Sequence, residues 1–115
     1  MNSYLTRCCV AGAICLIGTP VTAQDSARLA LGEKVFVSSC KSCHDPGTAP
    51  SDAPKLSDQA EWKERAGKGR ADLYKSAIDG FTGYYVMPAR GGNAALSDAE
   101  VKAAVDYLMQ RAGVK

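Results

Sequence analysis

The 115-residue sequence has no apolar run long enough to cross a bilayer, no dense block of one charge and only one histidine. Each absence excludes something. The longest apolar run, Cys8 to Ile17, falls well short of the about 20 residues a spanning helix needs. Lys and Arg number 14 against 12 Asp and Glu, a formal net charge of +2, and nowhere do the basic residues concentrate. Nucleic-acid binding, which lives on such concentration, is therefore not expected. No segment alternates apolar and polar residues convincingly enough to read as a strand, and there is no repeat or low-complexity tract.

The first stretch, MNSYLTRCCVAGAICLIGTPVTAQD, differs from the rest of the chain. Arg7 supplies a positive flank, the apolar run comes next, then Gly18 and Pro20, then Val21-Thr22-Ala23 with small residues at both ends. This is the layout of a cleaved secretory signal over residues 1–23, and it implies a periplasmic location. A lipoprotein reading of Cys15 fails, because Ile14 is too bulky for the residue before a lipidated cysteine. Cleavage after Ala23 removes Cys8, Cys9 and Cys15 and leaves Cys40 and Cys43 as the whole cysteine complement.

Residues 24–115 read as one all-α domain. Helical spacing of Leu29, Gly32, Val35 and Phe36 predicts a helix from about Ser26 to Ser39. The segment DPGTAPSDAPK, 45–55, holds three prolines and reads as a loop. Ser57 is expected to cap a second helix ending near Gly67, and a third covers RADLYKSAID before a stop at Gly80. A glycine-rich loop, FTGYYVMPARGGNAAL, precedes the plainest helix of the chain. There Ser97 and Glu100 form a capping box, Val101, Ala104, Val105 and Leu108 make an apolar stripe, and Gly113 closes the end. Four short helices and two long loops bury little apolar surface, so a large apolar cofactor is expected to complete the core.

The lone histidine falls in Cys40-Lys-Ser-Cys43-His44. C-x-x-C-H is the attachment signature of c-type haem. Thiols three positions apart on a helical turn leave from the same side, so each can form a thioether with one vinyl group while His44 offers an axial ligand. A structural zinc site wants four ligands, and the processed chain offers three crowded into this motif. A redox dithiol wants a preceding strand in a βαβ pattern, which is missing. For the second axial ligand, Met87 stands in VMPARGG, beside Pro88 and among glycines. A thioether opposite histidine raises the reduction potential; the alternative is a methionine that only fills a gap. Met109, in the last helix, reads as packing.

With these residues together, the chain resembles the class I cytochromes c, most closely the small bacterial cytochrome c5 type. The resemblance runs from about Gly32 to Gly113 through GEKVFVSSCKSCH, APKLSD, VMPARGG and LSDAEVKAAVDYL. It implies helices wrapped around one haem c attached through Cys40 and Cys43, with His44 and Met87 on the iron. It further implies a close crossing of first and last helices at Gly32, with Phe36 against Tyr107 or Val105. Pro54 matches the proline whose carbonyl accepts the ring N–H of the ligand histidine. Trp62 and Arg65 match positions near a haem propionate, although core packing and a solvated charge explain them equally well. One of Tyr84 and Tyr85 is expected in the pocket, and Lys68 and Arg70 are candidates for a docking surface. The cysteine pair that many cytochromes c5 carry before the last helix is absent. The implied function is that of a monomeric electron carrier between redox protein partners, not an enzyme. A haem subunit of a larger complex and a five-coordinate ligand-binding protein remain as alternatives.

Overall fold

The computed structural model describes residues 20–47 and 52–115. Residues 1–19 of the expected signal and residues 48–51 of the proline-rich loop lie outside the described residues. Helix α1 spans Ala23–Val35 and passes without a break into a π-turn, Phe36–Cys40, and a last α-turn, α2, Lys41–His44. Three further helices come after it: α3, Gln59–Gly67; α4, Arg70–Asp79; and α5, Asp98–Arg111. Between α4 and α5 lie β1, Phe81–Thr82, β2, Val86–Met87, and a 3-10 turn, Ala89–Gly92. The all-α expectation holds, with one correction. The loop after Gly80 folds into a minimal antiparallel ribbon pairing Phe81 with Met87 and Thr82 with Val86.

Local sequence explains most boundaries. Thr22 caps α1 through a box with Asp25, so the helix begins three residues before the expected Ser26. The T-x-x-D pattern behind it is the same device that Ser97 and Glu100 provide for α5. Ser57 does not cap α3: Asp58 holds the N-cap position, and its carboxylate accepts from the Lys55 amide at 2.7 Å, outside the helix. Helix α4 ends at Gly80 as expected.

Helices α1 and α5 cross closely. A Cβ at Gly32 would collide with the Ala103 carbonyl and come within 2.9 Å of the Tyr107 Cβ, so only glycine permits the approach. Phe36 packs its ring on Tyr107 at 5.5 Å between centroids. Around this crossing, Phe36, Trp62, Leu108, Met109 and Ala112 form the buried cluster. Met109 is 1% exposed, which makes it the packing residue its helix position predicted. On the far side, Asp106 of α5 binds Arg28 of α1 at 2.5 Å and Arg70 of α4 at 2.6 Å, and accepts from the Tyr74 hydroxyl at 2.6 Å. Arg70 thus ties helices together.

Candidate functional site

The π-turn leads directly into the C-x-x-C-H motif. One residue inserted into the α-helical ladder rotates the next turn, and such bulges recur at functional sites. Here the bulge ends at Cys40 and sets the orientation of Cys40, Cys43 and His44 on the turn that closes the first helical run. Cys40 is half-buried against the core cluster, while Cys43 is exposed. Burial, reinforced by the neighbouring Cys43, pushes the Cys40 thiol up to about 11. A reactive dithiol needs a shift in the opposite direction.

His44 is 7% exposed. Its Nδ1 lies 2.8 Å from the Pro54 carbonyl oxygen. A carbonyl only accepts, so Nδ1 carries the proton and donates it. In the neutral ring Nε2 then keeps its lone pair. Burial pushes the His44 pKa below the ordinary imidazole value; the Pro54 bond opposes this, and the charges of Lys55 and Arg65 add to it. The ring is therefore neutral at physiological pH and shaped as a nitrogen donor.

The segment around Pro54 is itself held. The Leu56 amide donates to the His44 carbonyl at 2.9 Å, and Lys55 Nζ donates to the Cys43 carbonyl at 2.6 Å. The indole N–H of Trp62 donates to the Lys55 carbonyl at 2.7 Å, and its ring lies 5.7 Å from that of His44. Arg65 pairs with Glu61 at 2.5 Å on the same helix.

Met87 is the last residue of β2. The turn after it packs against the π-turn: a Cβ on Gly91 would meet the Ser39 carbonyl oxygen at 2.7 Å, and its φ of +63° also favours glycine. The Asn93 side-chain amide donates to Ser39 Oγ at 3.3 Å. Arg90 donates to the Leu96 carbonyl at 2.8 Å and to Asp98 at 2.6 Å, tying the turn to the start of α5.

These elements line one cleft, whose enclosed space is only about 40 Å³. Cys40, His44 and Met87 all line it, and its remaining wall is largely apolar, from Phe36, Ala77, Leu96, Val101 and Leu108. Trp62, Arg65 and Pro54 stand outside the lining, behind His44. The expectation that Tyr84 or Tyr85 enters the pocket is not met: neither lines the cleft, and Tyr84 is 93% exposed at the tip of the ribbon. The turn joining β1 to β2 carries both rings outward, where they pack edge to face at 4.8 Å. Sequence reading missed Lys55 and Asp58, whose only signal was a polar pair beside the prolines. Among the described residues, no three His, Cys, Asp or Glu side chains converge as a metal site would require.

Several known proteins are similar to this chain. Residues 27–108 match the family model described as cytochrome c oxidase, cbb3-type, subunit III. Cytochrome c-555 of Chlorobaculum tepidum is 36% identical over 110 residues, covering 95% of this chain and 96% of that protein. Cytochrome c5 of Azotobacter vinelandii is 39% identical over 79 residues, covering 67% of this chain and 89% of that protein. Among solved structures, a chain from an electron transfer complex of nitrite reductase with cytochrome c aligns with a TM-score of 0.59 at 39% identity. That alignment covers 71% of this chain and 94% of the other. The chain therefore belongs to the class I c-type cytochromes, close to the cytochrome c5 type, which bind one covalently attached haem c.

Proposed function

We propose that this protein is an exported one-electron carrier in which Cys40 and Cys43 anchor the haem as thioethers and His44 and Met87 bind its iron. The observation that carries the reading is the convergence of Cys40, His44 and Met87 on one apolar cleft. The chemistry of the lining suits such a group: two of its side chains are suited to iron, and the rest offer an apolar wall of the kind cofactor sites use. The haem supplies the redox chemistry, and the protein supplies ligation, exclusion of water and a docking surface.

Each residue has a defined part. His44, neutral and held through Nδ1–H, offers Nε2; Pro54 orients the ring and makes it a better donor. Met87 offers a thioether from a strand end braced against Ser39 and α5, a ligand that favours the reduced state. Phe36, Val101 and Leu108 keep water away. Arg65, already paired with Glu61, is the candidate beside a propionate. Were His44 and Met87 both to bind the iron, no position would be left for a substrate, which supports a carrier and not an enzyme. Encounters with redox partners are expected to be small and brief. Residues 1–23 are the export signal, and the processed chain works as a periplasmic monomer.

The test is optical. Protein made with its attachment machinery is expected to show covalent-haem bands and, when oxidised, the weak long-wavelength band of an iron–methionine bond. Met87→Ala is expected to abolish that band and lower the reduction potential. Retention of the band in Met87→Ala would refute methionine ligation by this residue. A second reading, a haem subunit of a larger oxidase, draws on the description of the matching family model. Copurification in a fixed ratio with other chains from native membranes would favour it.

A further inference from the structure

Two consecutive peptide units, Pro54–Lys55 and Lys55–Leu56, lie between His44 and helix α3, and all four of their polar atoms are used. In the first, the carbonyl accepts from His44 Nδ1 at 2.8 Å while the N–H donates to Asp58 Oδ2 at 2.7 Å. In the second, the N–H donates to the His44 carbonyl at 2.9 Å. Its carbonyl accepts twice, from the Trp62 indole at 2.7 Å and from the Asp58 amide at 3.0 Å. Each unit thus has one end on His44 and the other on α3. The direction of the Pro54 carbonyl, and with it the hydrogen bond on His44, depends on where Asp58 and Trp62 hold these planes.

We infer that Trp62 and Asp58 are positioning residues for His44, acting through the Pro54–Leu56 backbone, and that the indole N–H serves this bracket and not a haem propionate. The inference rests on the proposed role of His44 as an iron ligand. Trp62 is suited to the task. It is 7% exposed, fixed in the core cluster, and its single donor is satisfied at short distance by Lys55. Burying an indole leaves that donor costly to abandon, so the bond holds the loop as firmly as the core holds the ring. Asp58 restrains the neighbouring plane through its carboxylate, which explains why it stands outside the ordinary capping arrangement of α3.

The chain has one histidine, so holoprotein made without a histidine tag and labelled with ¹⁵N-histidine gives a single ring spectrum. In the ferrous protein, exchange of the His44 Nδ1 proton with water reports the Pro54 bond directly. Trp62→Phe and Asp58→Ala are each expected to speed this exchange about tenfold, the effect of losing one ordinary hydrogen bond. Both are expected to raise the reduction potential, because a less firmly bonded imidazole is a poorer donor to ferric iron. Asp58→Asn keeps an acceptor oxygen and is expected to restore slow exchange. Asp58→Ala leaves the core intact, so the test does not hang on how well Trp62→Phe folds.

Unchanged exchange in Trp62→Phe and Asp58→Ala overturns the inference. A potential shift in Trp62→Phe with unchanged exchange also overturns it and assigns the indole to a propionate. A wild-type ring nitrogen without the shift of an iron-bound imidazole removes the ligand role of His44, and the inference with it.

Discussion

Gly32 shows how one missing side chain sets the distance between two helices. Its Cβ position is occupied by the Ala103 carbonyl, so Gly32→Ala must push α1 and α5 apart or distort both. The expected cost is about 2 kcal/mol, typical of overpacking, read as a lower denaturant midpoint with an unchanged slope. This residue was legible in the sequence because glycine inside a helical pattern is unfavourable and needs a reason. Phe36 against Tyr107 or Val105 was legible through the family resemblance, and the buried Met109 through its place in the capped last helix. Trp62 was legible only as an apolar or site-facing ring. The partner of its N–H is a loop carbonyl, and no local pattern says where a proline-rich loop will bring its carbonyls. The misreading of Tyr84 and Tyr85 has the same origin: two aromatics beside Met87 suggest a pocket until the ribbon turns them out.

Elements were read best where their ends carry a chemical signature. Ser97→Ala removes the oxygen that receives the Glu100 amide and is expected to cost about 1 kcal/mol of stability in thermal or denaturant unfolding. Thr22 provides the same cap for α1, through the Asp25 amide at 3.2 Å. Yet the expected cleavage after Ala23 would remove it. Thr22→Ala is therefore expected to leave the exported protein unchanged in unfolding midpoint while Ser97→Ala does not. A midpoint loss of equal size in both would place Thr22 in the finished protein. The π-turn was invisible in sequence, because FVSSC fits an α-helix as well as a bulge. What selects the bulge is tertiary: Phe36 is drawn into the α5 contact while Ser39 must meet Gly91. The ribbon of β1 and β2 was missed because two-residue strands are too short to show any alternation.

At the scale of the molecule, Asp106 joins three helices through Arg28, Arg70 and Tyr74, well away from the cleft. Both arginines are nearly half exposed and regain water when released, so Asp106→Ala is expected to cost about 1–3 kcal/mol, less than a fully buried pair would. Burial, then the bond to Asp106 and its charge, raises the Tyr74 pKa above its ordinary value. A group with a raised folded pKa contributes fully below its unfolded pKa, about 10 for tyrosine, and loses that contribution as pH rises through the folded value. Stability is therefore expected to fall above about pH 10, and Tyr74→Phe to flatten that alkaline limb in unfolding titrations. No sequence pattern announced this cluster, since its members come from three separate helices. The crossing of α1 with α5 also has a consequence in time. A chain emerging from its amino end presents Cys40 and Cys43 long before Tyr107, Leu108 and Met109 arrive to pack on Phe36. Until then one wall of the cleft does not exist, and the two thiols stand uncovered. The last helix is thus a door that the order of the chain leaves ajar until its final residues arrive.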